Sequence, residues 1–213
     1  MKIEKVWAMP NGNTFTIKPI KEFVEKDVGL GGVIVDPFAN SCKYGTITND
    51  LNPEFETTHR LDALEFLKSL PSNSTDLVLY DPPYSITQAS QLYKEYGKEK
   101  LEVNVANMKY WALCKENIAR ILRIGGVCLC FGWNTNGIGK NRGFEMTDIL
   151  IVAHGGSKND TLCTREVKVL DHPTEKGGEG RWLNVKSAYI MRFVPILDGT
   201  FAKQTKSDLK NIK

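Results

Sequence analysis

Gly31-Gly32-Val33-Ile34-Val35-Asp36-Pro37 is the stretch that decides the fold. Three β-branched apolar residues stand between paired glycines and an Asp-Pro turn. Such side chains favour extended backbone, and a short continuous apolar run with turn signals at both ends predicts a strand buried on both faces. The signature returns at Asp76-Leu77-Val78-Leu79-Tyr80-Asp81-Pro82, again tipped by an aspartate and a proline. Thr46-Ile47-Thr48-Asn49, ending at Asp50, is a weaker strand of the same kind. Between them, residues 62–70 repeat Leu61, Leu64 and Leu67 at helical spacing until Pro71 stops the helix. Residues 104–123 predict a long amphipathic helix closed by Gly125-Gly126, and Val127 to Phe131 a further strand. Gly132 to Gly143 reads as a polar, glycine-rich loop. Met146 to Ala153 and Thr161 to Leu170 predict a terminal antiparallel pair around His154-Gly155-Gly156. Strand and helix alternating at this spacing give an α/β chain: a doubly wound, mainly parallel sheet, helices on both faces and an antiparallel last pair. Ligands of such sheets sit beyond the carboxyl ends of the strands. Asp36, Asp50 and Asp81 fall at those predicted ends, and Asp62 just after another one around residues 58–61.

Composition narrows the class without choosing the chemistry. The 213 residues are 41% hydrophobic and 25% charged, ordinary for a globular protein with a real core. A net charge of +3 is compatible with a polyanionic partner and is weak evidence for one. The five cysteines are odd in number and form no CxxC, which favours reduced thiols over disulfides or zinc. Three histidines, His59, His154 and His172, lack metal-ligand spacing, so no metal is expected. No apolar run approaches the ~20 residues that span a bilayer. Met-Lys-Ile-Glu-Lys at the start carries no apolar targeting segment. A cytoplasmic protein is the expectation.

Asp81-Pro82-Pro83-Tyr84 carries the chemistry. Paired prolines stiffen the corner and remove two backbone donors. Asp81 and the Pro82 carbonyl then stand as acceptors with little competing N–H. An exocyclic amino group on a base offers two hydrogens and a lone pair delocalised into its ring. Two fixed acceptors would hold that NH2 and aim its lone pair at a methyl donor, which is catalysis by orientation and electrostatics. Tyr84 would stack on the base, flipped out of a duplex to reach the pocket. Taken alone, the tetrapeptide is equally a turn that ends a strand.

In order along the chain, these motifs resemble the DNA amino-methyltransferase family. The stretches are Val33 to Ser41, Thr48 to Pro53, Arg60 to Phe66 and Asp81 to Ser85, followed by Phe131-Gly-Trp-Asn134 and His154-Gly-Gly-Ser-Lys-Asn-Asp-Thr161. Small phage- and prophage-type adenine methyltransferases carry a similar series. The resemblance spans residues 9–170 and implies the class I fold of methyltransferases that use S-adenosylmethionine. It implies that Asp36, Pro37, Phe38 and Ala39 line the methionine side of the cofactor, that Asp50 holds the ribose and that Asp62 contacts the adenine. A carboxylate suits two vicinal hydroxyls, as in dinucleotide sites. Met9 to Phe15 is similar to the family's first cofactor motif, with Phe15 as a wall. The family's glycine-rich turn is replaced here by Ala39-Asn40-Ser41, where Asn40 is the residue able to take a left-handed backbone.

The implied reaction is direct transfer to N6 of adenine in duplex DNA, with cytosine N4, RNA adenine or a protein side-chain amide as alternatives. A catalytically inactive DNA-binding relative is another. No Pro-Cys dipeptide supplies a cytosine-C5 nucleophile, and no G-x-G-x-x-G follows Asp36 as a dehydrogenase would need. Residues 1–170 are expected to hold the catalytic domain and 171–213 a segment of target recognition. With only about 40 residues between Tyr84 and Gly125 and about 40 beyond Leu170, target choice is expected from loops, that segment, a second subunit, as in a homodimer, or a partner. Residues 85–100 mix aromatics and bases beside the corner, and Lys140 and Arg142 follow Trp133; both groups are candidates for DNA contact. His154 is expected to be structural. Glu175 to Gly180 reads as a flexible linker or hairpin tip, and the Lys-rich tail after Ala202 as disordered or DNA-attracting.

Overall fold

A computed structural model describes residues 1–96, 107–156 and 158–171. The segment 172–213, with the expected linker and tail, lies outside the described residues. In chain order the elements are β1 (Lys2–Trp7), α1 (Lys18–Val28), β2 (Ile34–Asp36), β3 (Ile47–Thr48), α2 (Ala63–Ser69), β4 (Thr75–Tyr80), α3 (Ile86–Glu95), α4 (Met108–Ile121), β5 (Leu122–Gly132), β6 (Phe144–Ala153) and β7 (Thr161–Lys168).

The strands form one sheet in the order β1-β6-β7-β5-β4-β2-β3. The two aspartate-tipped runs, β2 and β4, are parallel neighbours, with Ile34 opposite Leu77 and Val35 opposite Val78. β3 lies parallel on the far side of β2, and β5 parallel on the far side of β4. β7 runs antiparallel between β5 and β6, and β1 closes the edge parallel to β6. The chain steps outward from β2 to β3, then returns to β4 on the other side. Doubly wound sheets open a crevice where strand order reverses in this way. The sheet is therefore mainly parallel, with the expected antiparallel β6–β7 pair.

Alternation along β4 builds the layers. Leu77 and Leu79 point to one face, where Ile20, Phe23 and Val24 of α1 cover them. Val78 and Tyr80 point to the other, under Phe66, Tyr93 and Ile118 from α2, α3 and α4. All four side chains are buried, which is why the run has no polar position. Each helix on that second face starts on a side-chain cap: Asp62 accepts from Leu64 and Glu65 N–H, Ser85 from Gln88 N–H, and Asn107 from Lys109 N–H. Pro71 stops α2 by holding Leu70 extended. On the other face, Arg165 of β7 grips Asp27 of α1 with three hydrogen bonds of 2.8–3.2 Å.

Two expectations shift. The predicted helix over 104–123 ends at Ile121 within the described residues, and Leu122 already pairs with Thr75. Gly125, at φ +83°, and Gly126 absorb the register slip that follows. β1 and α1 are elements that the sequence reading does not supply.

Candidate functional site

Asp36 ends β2, and the chain turns through Pro37 to Asn40. Asn40 takes φ +49°, the left-handed geometry expected of it in place of glycine. That turn aims its N–H at Asp50 Oδ2, 2.8 Å away, while Asp50 Oδ1 accepts from Asn52 N–H at 2.8 Å. Asp50 thus ties together the loops after β2 and β3. Burial raises its carboxyl, and the neighbouring N–H groups oppose the rise.

A cavity of about 410 Å³ opens over these strand ends. Pro37, Phe38, Ala39 and Asp50 form its floor, and the Asp81–Tyr84 corner one wall. The loop Asn11 to Phe15, between β1 and α1, forms another. It is folded by Asn11, whose Oδ1 accepts from Asn13 N–H, and is pinned across the site by Asn13 Nδ2 donating to Ser41 Oγ at 2.9 Å. Phe15 is buried against Phe131, edge to face at 4.9 Å. Gln88, Leu92, Tyr93 and Tyr96 complete the enclosure from one side of α3.

The corner itself separates two spaces. Pro82, Pro83 and Tyr84 line the large cavity and also a second one of about 220 Å³. Trp111, Trp133, Met108 and Ile86 give that second space apolar walls, and Lys115 and Asn136 give it polar ones. Glu166 shapes its base by accepting from the Ile138 and Gly139 N–H groups, and Lys115 Nζ donates to Gly137 O at 2.6 Å. Tyr84 meets Trp133 edge to face at 5.8 Å, and its hydroxyl lies 3.4 Å from Thr14 Oγ1.

Asp81 is the unusual group. Its Oδ1 is buried and has no hydrogen-bond partner among the described residues. Burial pushes its carboxyl up to about 6; the Thr14 and Tyr84 hydroxyls beside it pull the other way. Asp36 Oδ2 is likewise buried and unpartnered. Burial holds the Asp36 carboxyl well above the usual carboxylate range, Phe38 N–H opposing, with Asp81 and Asp50 adding to the rise.

Nine of the eleven residues singled out from sequence meet at the large cavity: Phe15, Pro37, Phe38, Ala39, Asp50 and the Asp81–Tyr84 corner. The other two, Asp36 and Asp62, do not line it. Asp36, implied to line the methionine side, is fully buried below the floor, where its Oδ1 accepts from Phe38 N–H at 3.1 Å. Asp62, implied to contact an adenine, caps α2 and binds the Tyr93 and Tyr110 hydroxyls, and it does not line the cavity. Arg142, a candidate for phosphate contact, is engaged instead by Glu116 and Ile138 O. Gln88, Tyr93 and Tyr96, within the 85–100 stretch offered as a candidate for DNA contact, line the large cavity. Residues 97–100 of that stretch lie outside the described residues. His154 is structural, with its two ring nitrogens 2.8 Å from Ala8 O and Thr161 Oγ1. Asn11 to Thr14 fall inside the Met9–Phe15 stretch read as a cofactor motif, whereas Leu92 is a cavity residue that the sequence reading does not name, although Gln88, Leu92 and Tyr96 recur at i, i+4 and i+8.

No protein-family model matches the chain, and no curated protein matches it in sequence. Solved structures do match. The Burkholderia thailandensis 1,6-didemethyltoxoflavin-N1-methyltransferase, solved with 1,6-didemethyltoxoflavin and S-adenosylhomocysteine, superposes with a TM-score of 0.50 at 12% identity. The match covers 72% of this chain and 78% of that one. The fold is the class I methyltransferase fold. Weaker matches come from two Thermus thermophilus proteins. One is TrmN (TM-score 0.48, 15% identity, 72% of this chain), and the other is a DNA modification methylase (0.35, 15%, 55% of this chain and 54% of that one). The chain spans about half the length of TrmN, 49%. At these identities the likeness extends to the class I fold and not to an acceptor.

Proposed function

We propose that this chain is an S-adenosylmethionine-dependent methyltransferase acting on the exocyclic amino nitrogen of a nucleic-acid base, N6 of adenine in DNA. One observation carries the reading: the buried, unpartnered Asp81 Oδ1 lines the large cavity, on a corner whose other three residues, Pro82, Pro83 and Tyr84, also line the second. An orphaned buried acceptor is costly and needs a donor that arrives with a ligand. An NH2 group is such a donor.

The residues present fit the cofactor. A space of about 410 Å³ falls within the ~300–1,000 Å³ typical of ligand sites. Asp50 keeps lone pairs beyond its two backbone bonds for vicinal hydroxyls. Pro37, Phe38, Ala39 and Phe15 would flank the methionine end. When bound, the cofactor supplies an electrophilic methyl group on a sulfonium.

The chain's own residues do the rest. Asp81 and the Pro82 carbonyl hold the acceptor's NH2 and favour a pyramidal nitrogen, which takes its lone pair out of conjugation with the ring. Trp111 and Trp133 offer aromatic faces to a flipped base in the second cavity, with Tyr84 as the partition. Asp81 stands where the hydrogen lost from nitrogen after transfer can be taken up. Neither a metal nor a covalent link to the enzyme has a part in this scheme.

Incubation with methyl-tritiated S-adenosylmethionine and duplex DNA, RNA or protein, followed by nucleoside analysis, tests the reading. N6-methyladenine in the DNA digest is the expected product. Label confined to protein would refute a nucleic-acid acceptor, and N4-methylcytosine would move the assignment to cytosine.

A further inference from the structure

Beside the lining of the large cavity stand groups whose hydrogen-bonding capacity can be counted. Leu61 and Ala63 line the cavity, and with Leu51, Phe55 and Leu92 they give its lining an apolar part that suits a heteroaromatic ring. Asp62 lies between Leu61 and Ala63 in sequence, yet it is 6% exposed and does not reach the cavity. Its Oδ1 accepts from Leu64 N–H at 3.0 Å and Glu65 N–H at 3.3 Å. Its Oδ2 accepts from the Tyr93 and Tyr110 hydroxyls, each at 2.8 Å. A carboxylate has about four lone-pair sites. All four are used inside the protein.

Tyr93, by contrast, lines the cavity. Its single hydroxyl proton is committed to Asp62, and the Tyr110 hydroxyl, 3.1 Å away, is committed to the same oxygen. A hydroxyl carries one donor and two acceptor sites. With its donor spent, the Tyr93 oxygen presents lone pairs alone. Such a group accepts from an amino substituent and repels a carbonyl.

Resting on the reading of this cavity as the S-adenosylmethionine site, we propose that Tyr93, locked as an acceptor by Asp62 and Tyr110, reads the exocyclic amino group of the cofactor's purine. Tyr93 selects a 6-aminopurine over a 6-oxopurine. Asp62 and Tyr110 are positioning residues, acting through the direction of the Tyr93 proton.

Calorimetric titration of the full chain with S-adenosylhomocysteine and with its deaminated counterpart, S-inosylhomocysteine, tests this. The unaltered protein should bind the amino form about 10-fold or more tightly, the scale of one hydrogen bond against a buried mismatch. Tyr93→Phe should lose that preference, mainly by weakening the amino form. Asp62→Asn, which frees the Tyr93 proton, should narrow the preference while leaving the Tyr93 ring in place. Any loss of folded fraction scales both ligands together, so the ratio on one variant stays informative. An undiminished preference in Tyr93→Phe, or equal binding of both ligands by the unaltered protein, would overturn the assignment of Tyr93 and leave the methyltransferase reading standing. Binding of neither ligand would overturn both.

Discussion

Asp81 must be ionised to hold an amino group, yet it lies where ionisation is penalised. Its carboxyl is pushed up to about 6 by burial. Protonation turns one acceptor oxygen into a donor facing an NH2, so kcat/KM for methyl transfer should fall as pH drops through about 6. Initial rates between pH 5 and pH 8 read this directly, and a flat profile would remove Asp81 from the transition state. The stability effect has the opposite sign. The folded value lies above the ordinary 3.8, so the fold prefers the neutral acid. Stability from this group is fully present below about pH 4 and is lost as pH rises through about 6. Asp81→Asn should therefore stabilise the chain by about 2–3 kcal/mol at pH 8 and by nearly nothing at pH 4. It should cost roughly 10²–10³ in transfer rate. Urea denaturation at both pH values checks the first claim. At this scale the sequence is informative where identity dictates geometry, as at the proline corner and at Asn40. It does not disclose where the Asp62 carboxylate points, because a helix cap and two tyrosines contributed by α3 and α4 decide that.

The elements are legible in proportion to how locally they are determined. β2 and β4 are buried on both faces, so their apolar runs announce them. β1, Lys-Ile-Glu-Lys-Val-Trp, is exposed along nearly its whole length and is a strand only because β6 offers an edge far along the chain, Lys2 opposite Asp148. No local signal marks it. α1 is a different case: Ile20, Phe23, Val24 and Asp27 are buried at i, i+3, i+4 and i+7, a helical stripe with a proline at its start. The last of that stripe is a carboxylate, and its partner Arg165 comes from β7. Asp27 is 6% exposed, so Arg165→Met would leave a buried charge unpaired. Breaking a buried pair from one side should cost about 3 kcal/mol, and adding Asp27→Asn should recover part of the loss. A double-mutant cycle by urea denaturation measures both.

At the scale of the molecule, the site is a product of topology. Loops at residues 11–15, 37–40, 50–55 and 81–84 converge because every one of them leaves the same end of the sheet, on either side of the reversal between β2 and β4. The tipped strands disclose which residues are candidates. They cannot disclose the Asn11–Thr14 wall, which reaches the crevice only because β1 is carried to the far edge and its loop returns beneath Tyr84. A site assembled from so many segments couples ligand binding to the stability of the whole fold. A ligand at 100 times its Kd stabilises by about 2.7 kcal/mol, and a chain of this size gains roughly 2–4 °C per kcal/mol. Saturating S-adenosylhomocysteine should thus raise Tm by about 5–11 °C. Asp50→Ala, which removes the acceptor lining the cavity floor and the tie between two of its loops, should abolish most of that rise. Asp81→Asn, which leaves the floor intact, should keep it. Scanning calorimetry of the three proteins with and without ligand separates the roles: equal loss in both variants would mean that the corner serves the cofactor and not the acceptor.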